Sequence, residues 1–138
     1  MKTKLSVLLF GCLMLVLSPL ASTAATSSFI AQGQSNGIAY VCGGVGMDER
    51  TAMDAMAKDY NVKLVFVEAP KDYVSGVKVI IEDHSGKLLL ETTSSGPWFW
   101  AKLPQGDYRV IASLHNHREM KHLKVAGGVD TVEFFWKA

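Results

Sequence analysis

Cysteine and proline are scarce in this chain, with two and four respectively among 138 residues. Cys12 falls in an apolar N-terminal stretch, so Cys42 stands alone in the remainder and no internal disulfide can form there. A small buried thiol is the ordinary fate of such a residue. Charge of one sign is also lacking. Without Lys2 and Lys4, 12 basic residues face 13 acidic ones, a net charge of −1, and the basic residues are scattered. Nucleic-acid binding needs clustered lysine and arginine, so no nucleic-acid partner is expected. No second apolar run of spanning length follows the first, and there is no internal repeat or low-complexity segment. No serine sits in a nucleophile elbow, and Cys42 has no evident base. The glycines of Gly43-Gly44-Val45-Gly46 lack the lysine and serine or threonine of a phosphate loop, so this stretch reads as a flexible connection.

The N-terminus carries the three parts of an export signal in order. Lys2 and Lys4 supply positive charge, an apolar stretch runs from Leu5 to about Leu17, and Ser22-Thr23-Ala24 forms a small-x-small cleavage site. The apolar stretch is shorter than the roughly 18 residues of a spanning helix. Residues 1–24 are therefore expected to be a signal peptide, with the mature chain starting near Ala25. The membrane is then met only transiently, and the location is periplasmic or secreted. Cys12 comes too early for a lipidated cysteine, because apolar residues continue past it.

Residues 25–37 are small, polar and glycine-containing, and predict a flexible lead-in. Residues 38–61 predict a short strand, Ile38 to Cys42, and then a helix from about Glu49 to Tyr60. Asp48 is its expected N-cap, Met53, Met56, Ala57 and Tyr60 its apolar face, and Asn61 its left-handed stop. From Val62 to the end the period changes to two. Strands are predicted at Val62–Val67, Val77–Asp83, Leu88–Thr92, Trp98–Leu103, Tyr108–Leu114, His122–Val125 and Val132–Trp136. Short strands at regular spacing with turn residues between them read as an antiparallel sandwich or barrel, residues 62–138 forming its body. Between the stops Gly96-Pro97 and Pro104-Gln105-Gly106-Asp107 there is room for one strand. In it Phe99, Ala101 and Leu103 share one face and Trp98, Trp100 and Lys102 the other. The first set is wholly apolar, so it should enter the core. The helix is expected to cover part of the second.

The pattern Val77-x-Val79-x-Ile81-x-Asp83-x-x-Gly86, followed by Gly96-Pro97-x-Phe99-x-Ala101-x-Leu103-Pro104-x-Gly106-x-Tyr108-x-Val110-x-Ala112, resembles the bacterial carboxypeptidase regulatory-like domains. The resemblance covers about residues 62–136. It implies a mainly β fold, a seven-stranded antiparallel Greek-key β-sandwich of the prealbumin-like (transthyretin-like) kind, here preceded by one N-terminal α-helix. It also implies a non-catalytic accessory or interaction module, with no catalytic residues and no cofactor. Read on the residues alone, Tyr108 should bury its ring at the sandwich end while its hydroxyl reaches nearby backbone.

Four histidines raise the question of a metal. If the last hairpin turns near Asn116, His115 and His122 fall on one strand face, the best pair the sequence offers. A site needs three or four ligands, and no carboxylate or thiol has an evident place beside them. A solvated hairpin is the expectation, and no metal is assigned. Glu82, Asp83 and Glu91 cluster in one hairpin, yet Asp83-His84-Ser85-Gly86 is ordinary turn chemistry. Two binding roles remain. One is an exported module that contacts another exported or envelope protein. The alternative is a carbohydrate-binding module that stacks sugars on exposed Trp98, Trp100 or Trp136. Exposure of the indole rings separates them.

Overall fold

A computed structural model describes residues 30–137. Residues 1–24, expected to be a signal peptide and including Cys12, and the first five residues of the expected lead-in lie outside the described residues. The strands are β1 Ala31–Ser35, β2 Ile38–Gly43, β3 Val62–Glu68, β4 Asp72–Tyr73, β5 Lys78–Asp83, β6 Leu88–Thr93, β7 Trp98–Ala101, β8 Gly106–Leu114, β9 His117–Val125 and β10 Asp130–Trp136. One helix, α1, spans Met47–Met56 and continues as a 3₁₀ turn at Ala57–Asp59. The first sheet has the order β1-β2-β7-β3-β10, with β4 pairing to β3 as well. The second has the order β6-β5-β8-β9. The two sheets face each other, and α1 lies on the outer face of the first.

The alternation expected from the sequence sets the inner faces. Val62, Leu64 and Phe66 of β3, Phe99 and Ala101 of β7, Val110 and Ala112 of β8 and Phe134 and Trp136 of β10 are all buried in one cluster. Phe66, Phe134 and Trp136 pack with ring centroids 6.0 to 6.2 Å apart, and Tyr40 stacks on Phe99 at 5.4 Å. Each fully buried side chain of this size contributes about 1.5–3 kcal/mol by leaving water. Phe99 and Leu103 enter the core as expected.

Several expectations are corrected. The lead-in is not uniformly loose: residues 31–35 form β1, paired antiparallel with β2. The cause is Asn36-Gly37, both at positive φ (49° and 78°), the two-residue turn that matches strand twist. Strand count exceeds seven, with ten among the described residues. The sheets are not wholly antiparallel either, because β10 runs parallel to β3. The chain crosses from the second sheet and arrives beside the start of β3, where the Asp130 N–H donates to the Asn61 carbonyl (2.9 Å). It can then only run alongside β3. The short strand expected within residues 38–61 is β2, which sits inside the first sheet beside β7.

The helix also starts and stops differently. Its N-cap is Gly46, not Asp48, with no side-chain cap hydrogen bond, and Glu49 reaches back to the loop before it. The Glu49 carboxylate accepts the N–H groups of Gly44 (3.0 Å) and Val45 (3.1 Å), while Arg50 Nε donates to the Gly44 carbonyl (2.8 Å). The glycine-rich connection is thus held by the helix it leads into. Asn61 is not in the left-handed region. Its side chain mimics a strand neighbour, donating to the Leu103 carbonyl (2.7 Å) and accepting the Leu103 N–H (2.8 Å). The cluster of Val41, Met53 and Trp100, edged by Met56, Ala57, Tyr60 and Trp98, fastens α1 to β2 and β7.

Candidate partner-binding face

The helix covers only the β2 and β7 half of the outer face. On the other half, the register of the first sheet places outward side chains in three short rows. Lys63, Val65 and Val67 of β3 form the middle row. Trp100 and Trp98 of β7 and Tyr73 of β4 stand opposite them on one side. Thr131, Glu133 and Phe135 of β10 stand opposite on the other. Directly opposed residues on one face lie about 4.5–5.5 Å apart, so the rows touch. Two short segments, β7 and β4, share one edge of β3 in succession, which brings Tyr73 into line with the tryptophans.

Exposure rises along these rows away from the helix. Trp100 is 5% exposed, Trp98 is half-buried, Phe135 is 43% exposed and Tyr73 53%. Beside the last two, Val67, Pro70, Lys71, Tyr73, Glu133 and Phe135 line a cleft of about 440 Å³. Cations lie over the rings. Lys63 Nζ sits 3.6 Å from the Trp98 ring centroid and 5.0 Å from that of Trp100. The Arg50 guanidinium lies 4.6 Å from the Tyr73 ring and 5.6 Å from Trp98. Burial pushes the Lys63 ammonium pKa down; Asp54 opposes that shift and Arg50 adds to it. Among the described residues the ion pairs are Lys78 with Glu91 and Arg109 with Glu82, so Arg50 and Lys63 meet aromatic faces instead of carboxylates.

Of the three tryptophans singled out in the sequence, only Trp98 offers ring area to solvent. Trp136 is buried against Phe66 and Phe134, and its indole N–H donates to the His117 carbonyl (3.1 Å). This bond and the one from Lys121 Nζ to the Glu133 carbonyl lace the edge of β10 to the edge of β9. Trp100 Nε1 is buried with no hydrogen-bond partner among the described residues.

Tyr108 sits as expected. The Tyr108 hydroxyl donates to the Pro104 carbonyl (2.6 Å), and its ring is buried. Gly96 and Pro97 are buried, and a Cβ on Gly96 would meet the Gly43 carbonyl oxygen at 2.2 Å. Only glycine fits there. The histidine pair does not form. His115 and Asn116 are both at positive φ (47° and 65°) in a two-residue turn, so Leu114 opposes His117 and His122 opposes Arg109. His117 and His122 are thus about 17 Å apart along the strand, and His115 lies at the far tip. The tight turn at His115-Asn116 separates the expected pair. Among the described residues no group of three or more His, Cys, Asp or Glu is placed to hold a metal ion. Cys42 is buried, its sulfur accepting the Ser95 N–H at 3.4 Å.

The open half of the outer face is hard to find in the sequence. Tyr73 lies in a stretch without strand periodicity, and Phe135 belongs to a strand whose alternation points to the core. A signal was present in Val132–Trp136, where Phe134 and Phe135 are adjacent, so that one aromatic must face away from the core.

No protein-family model and no curated protein matches the chain. Among solved structures, the Bacillus anthracis TIE protein is similar over 55% of this chain, at 12% identity and a TM-score of 0.45. That similarity spans 16% of the TIE protein's own length.

Proposed function

We propose that this protein is an exported, non-catalytic binding module of the carboxypeptidase regulatory-like kind, acting by contact with another exported or envelope protein. Its periplasmic or secreted location is read from residues 1–24. The seven-stranded, Greek-key, prealbumin-like core is taken to be β3 and β5 to β10, with the β1–β2 hairpin and the short β4 as additions. The Tyr108–Pro104 corner supports this assignment.

The observation that carries the functional reading is the uneven cover of the outer face. A sheet face that ends in half-exposed Tyr73 and Phe135 beside a cleft leaves apolar area in water, and such area marks contact sites. Burial of Trp100 and Trp136 disfavours the alternative of a tryptophan platform for sugars. The test is capture. The exported form serves as bait in an envelope extract, beside Phe135→Asp, with reversible cross-linking and mass spectrometry. A discrete protein retained by the parent and lost from Phe135→Asp is expected. Identical retention by both would overturn the reading.

A further inference from the structure

Resting on that reading, we infer that the open half of the outer face takes an extended peptide segment carrying carboxylates, with an apolar side chain further along the same segment. Arg50 and Lys63 receive the carboxylates, and the cleft between Tyr73 and Phe135 receives the apolar group.

Charge argues first. Arg50 and Lys63 are half-buried, and neither forms an ion pair among the described residues. Each lies over aromatic rings, where a cation keeps part of its field unanswered. They also act on each other, since Arg50 adds to the downward shift of the Lys63 ammonium. A carboxylate placed between them relieves that repulsion and gains charge-assisted hydrogen bonds from both. Lys71 adds a third cation at the cleft. Against these three stand Glu133 on the same face and Asp54 near Lys63, so the cations prevail.

Spacing argues second. Lys63 and Val67 lie on the same side of β3, four residues apart, about 13 Å along a strand. An extended peptide repeats the same spacing, with positions i, i+2 and i+4 on one side. A carboxylate at i over Lys63 therefore puts the side chain at i+4 over Val67, between Tyr73 and Phe135. A free phosphate or acetate meets only the cationic end. A neutral apolar peptide meets only the cleft.

The test uses a dye-labelled, capped peptide with glutamates at one end and phenylalanine four positions on, read by fluorescence anisotropy against the exported chain. Its counterparts carry glutamine for glutamate, or serine for phenylalanine. Saturable binding is expected, weakened about tenfold or more by either change in the peptide. These arms need no variant and so are independent of folding. In the protein, Arg50→Gln, Lys63→Gln and Phe135→Ser should each weaken binding by about tenfold, with melting curves showing that each variant is folded. Equal affinity for the glutamate and glutamine peptides, or absence of saturation, overturns the inference. So does a captured envelope protein whose retention depends on Phe135 but ignores Arg50→Gln and Lys63→Gln. That last result leaves the binding-module reading intact.

Discussion

Replacing Asn61 tests how the ends of β7 and β10 are fastened beside the start of β3 in the first sheet. Its side chain exchanges two hydrogen bonds with Leu103, and its own N–H donates to the Ala101 carbonyl (3.1 Å). Its carbonyl accepts the N–H of Asp130 at the start of β10. Asn61→Ala removes only the side-chain pair and strands the N–H and carbonyl of Leu103, a residue 1% exposed. A stranded buried group costs about 1–3 kcal/mol. Asn61 itself is only partly buried, so water reaches one side and the sum should fall near 2–4 kcal/mol. For a domain of this size 1 kcal/mol moves the midpoint by about 4 °C, which predicts a loss of about 8–16 °C. Circular dichroism melts of the chain from Ala25 onward measure it. Asn61→Gly sharpens the test. A left-handed helix stop would accept glycine without loss, or gain from it, whereas the observed bridge is lost as fully as with alanine. A midpoint within 2 °C or so of the parent in Asn61→Gly would refute the bridging role.

Other outcomes follow from the same structure. Tyr108→Ala should cost about 3–5 kcal/mol by emptying a core site, seen as a sharp fall in melting temperature. Burial, with a smaller effect from Asp83, raises the Tyr108 phenol pKa above its ordinary value. Its contribution is therefore complete below the unfolded pKa near 10 and is lost as pH rises through the folded one, so Tyr108→Phe should flatten the alkaline limb of a stability–pH profile. Hydrogen bonds from Ser85 and Lys87 hold the Asp83 carboxyl below its ordinary range, so its contribution is present above pH of about 4 and lost on acidification. Asp83→Asn should then weaken the acid dependence in the same profile. Gly96→Ala forces a methyl into the Gly43 backbone and should cost about 3 kcal/mol or more, read as loss of folded protein in expression and melting. Acrylamide should quench Trp98 in single-tryptophan variants and leave Trp100 and Trp136 shielded; equal quenching of all three would contradict their burial.

Period-two alternation sufficed to locate most strands between Val62 and Trp136, because a strand with one face buried must write that face into every second residue. The fate of Phe99 and Leu103 was legible for the same reason. So was the Tyr108 corner, which depends on residues four apart. The β1–β2 hairpin was written locally as well, in Asn36-Gly37, but small polar residues around it hid the signal. Other features depended on contacts between distant segments. Local sequence presents Asn61 as a helix stop, yet its partner, Leu103, is 42 residues away. Nothing near Asp130 specifies that β10 runs parallel to β3; that follows from where the crossing from the second sheet arrives. Trp98, Tyr73 and Phe135 come from three separate strands, and only their common registration against β3 makes one face of them. Alternation along a strand determines which side chains point together, but the order of strands in the sheet determines which of them meet.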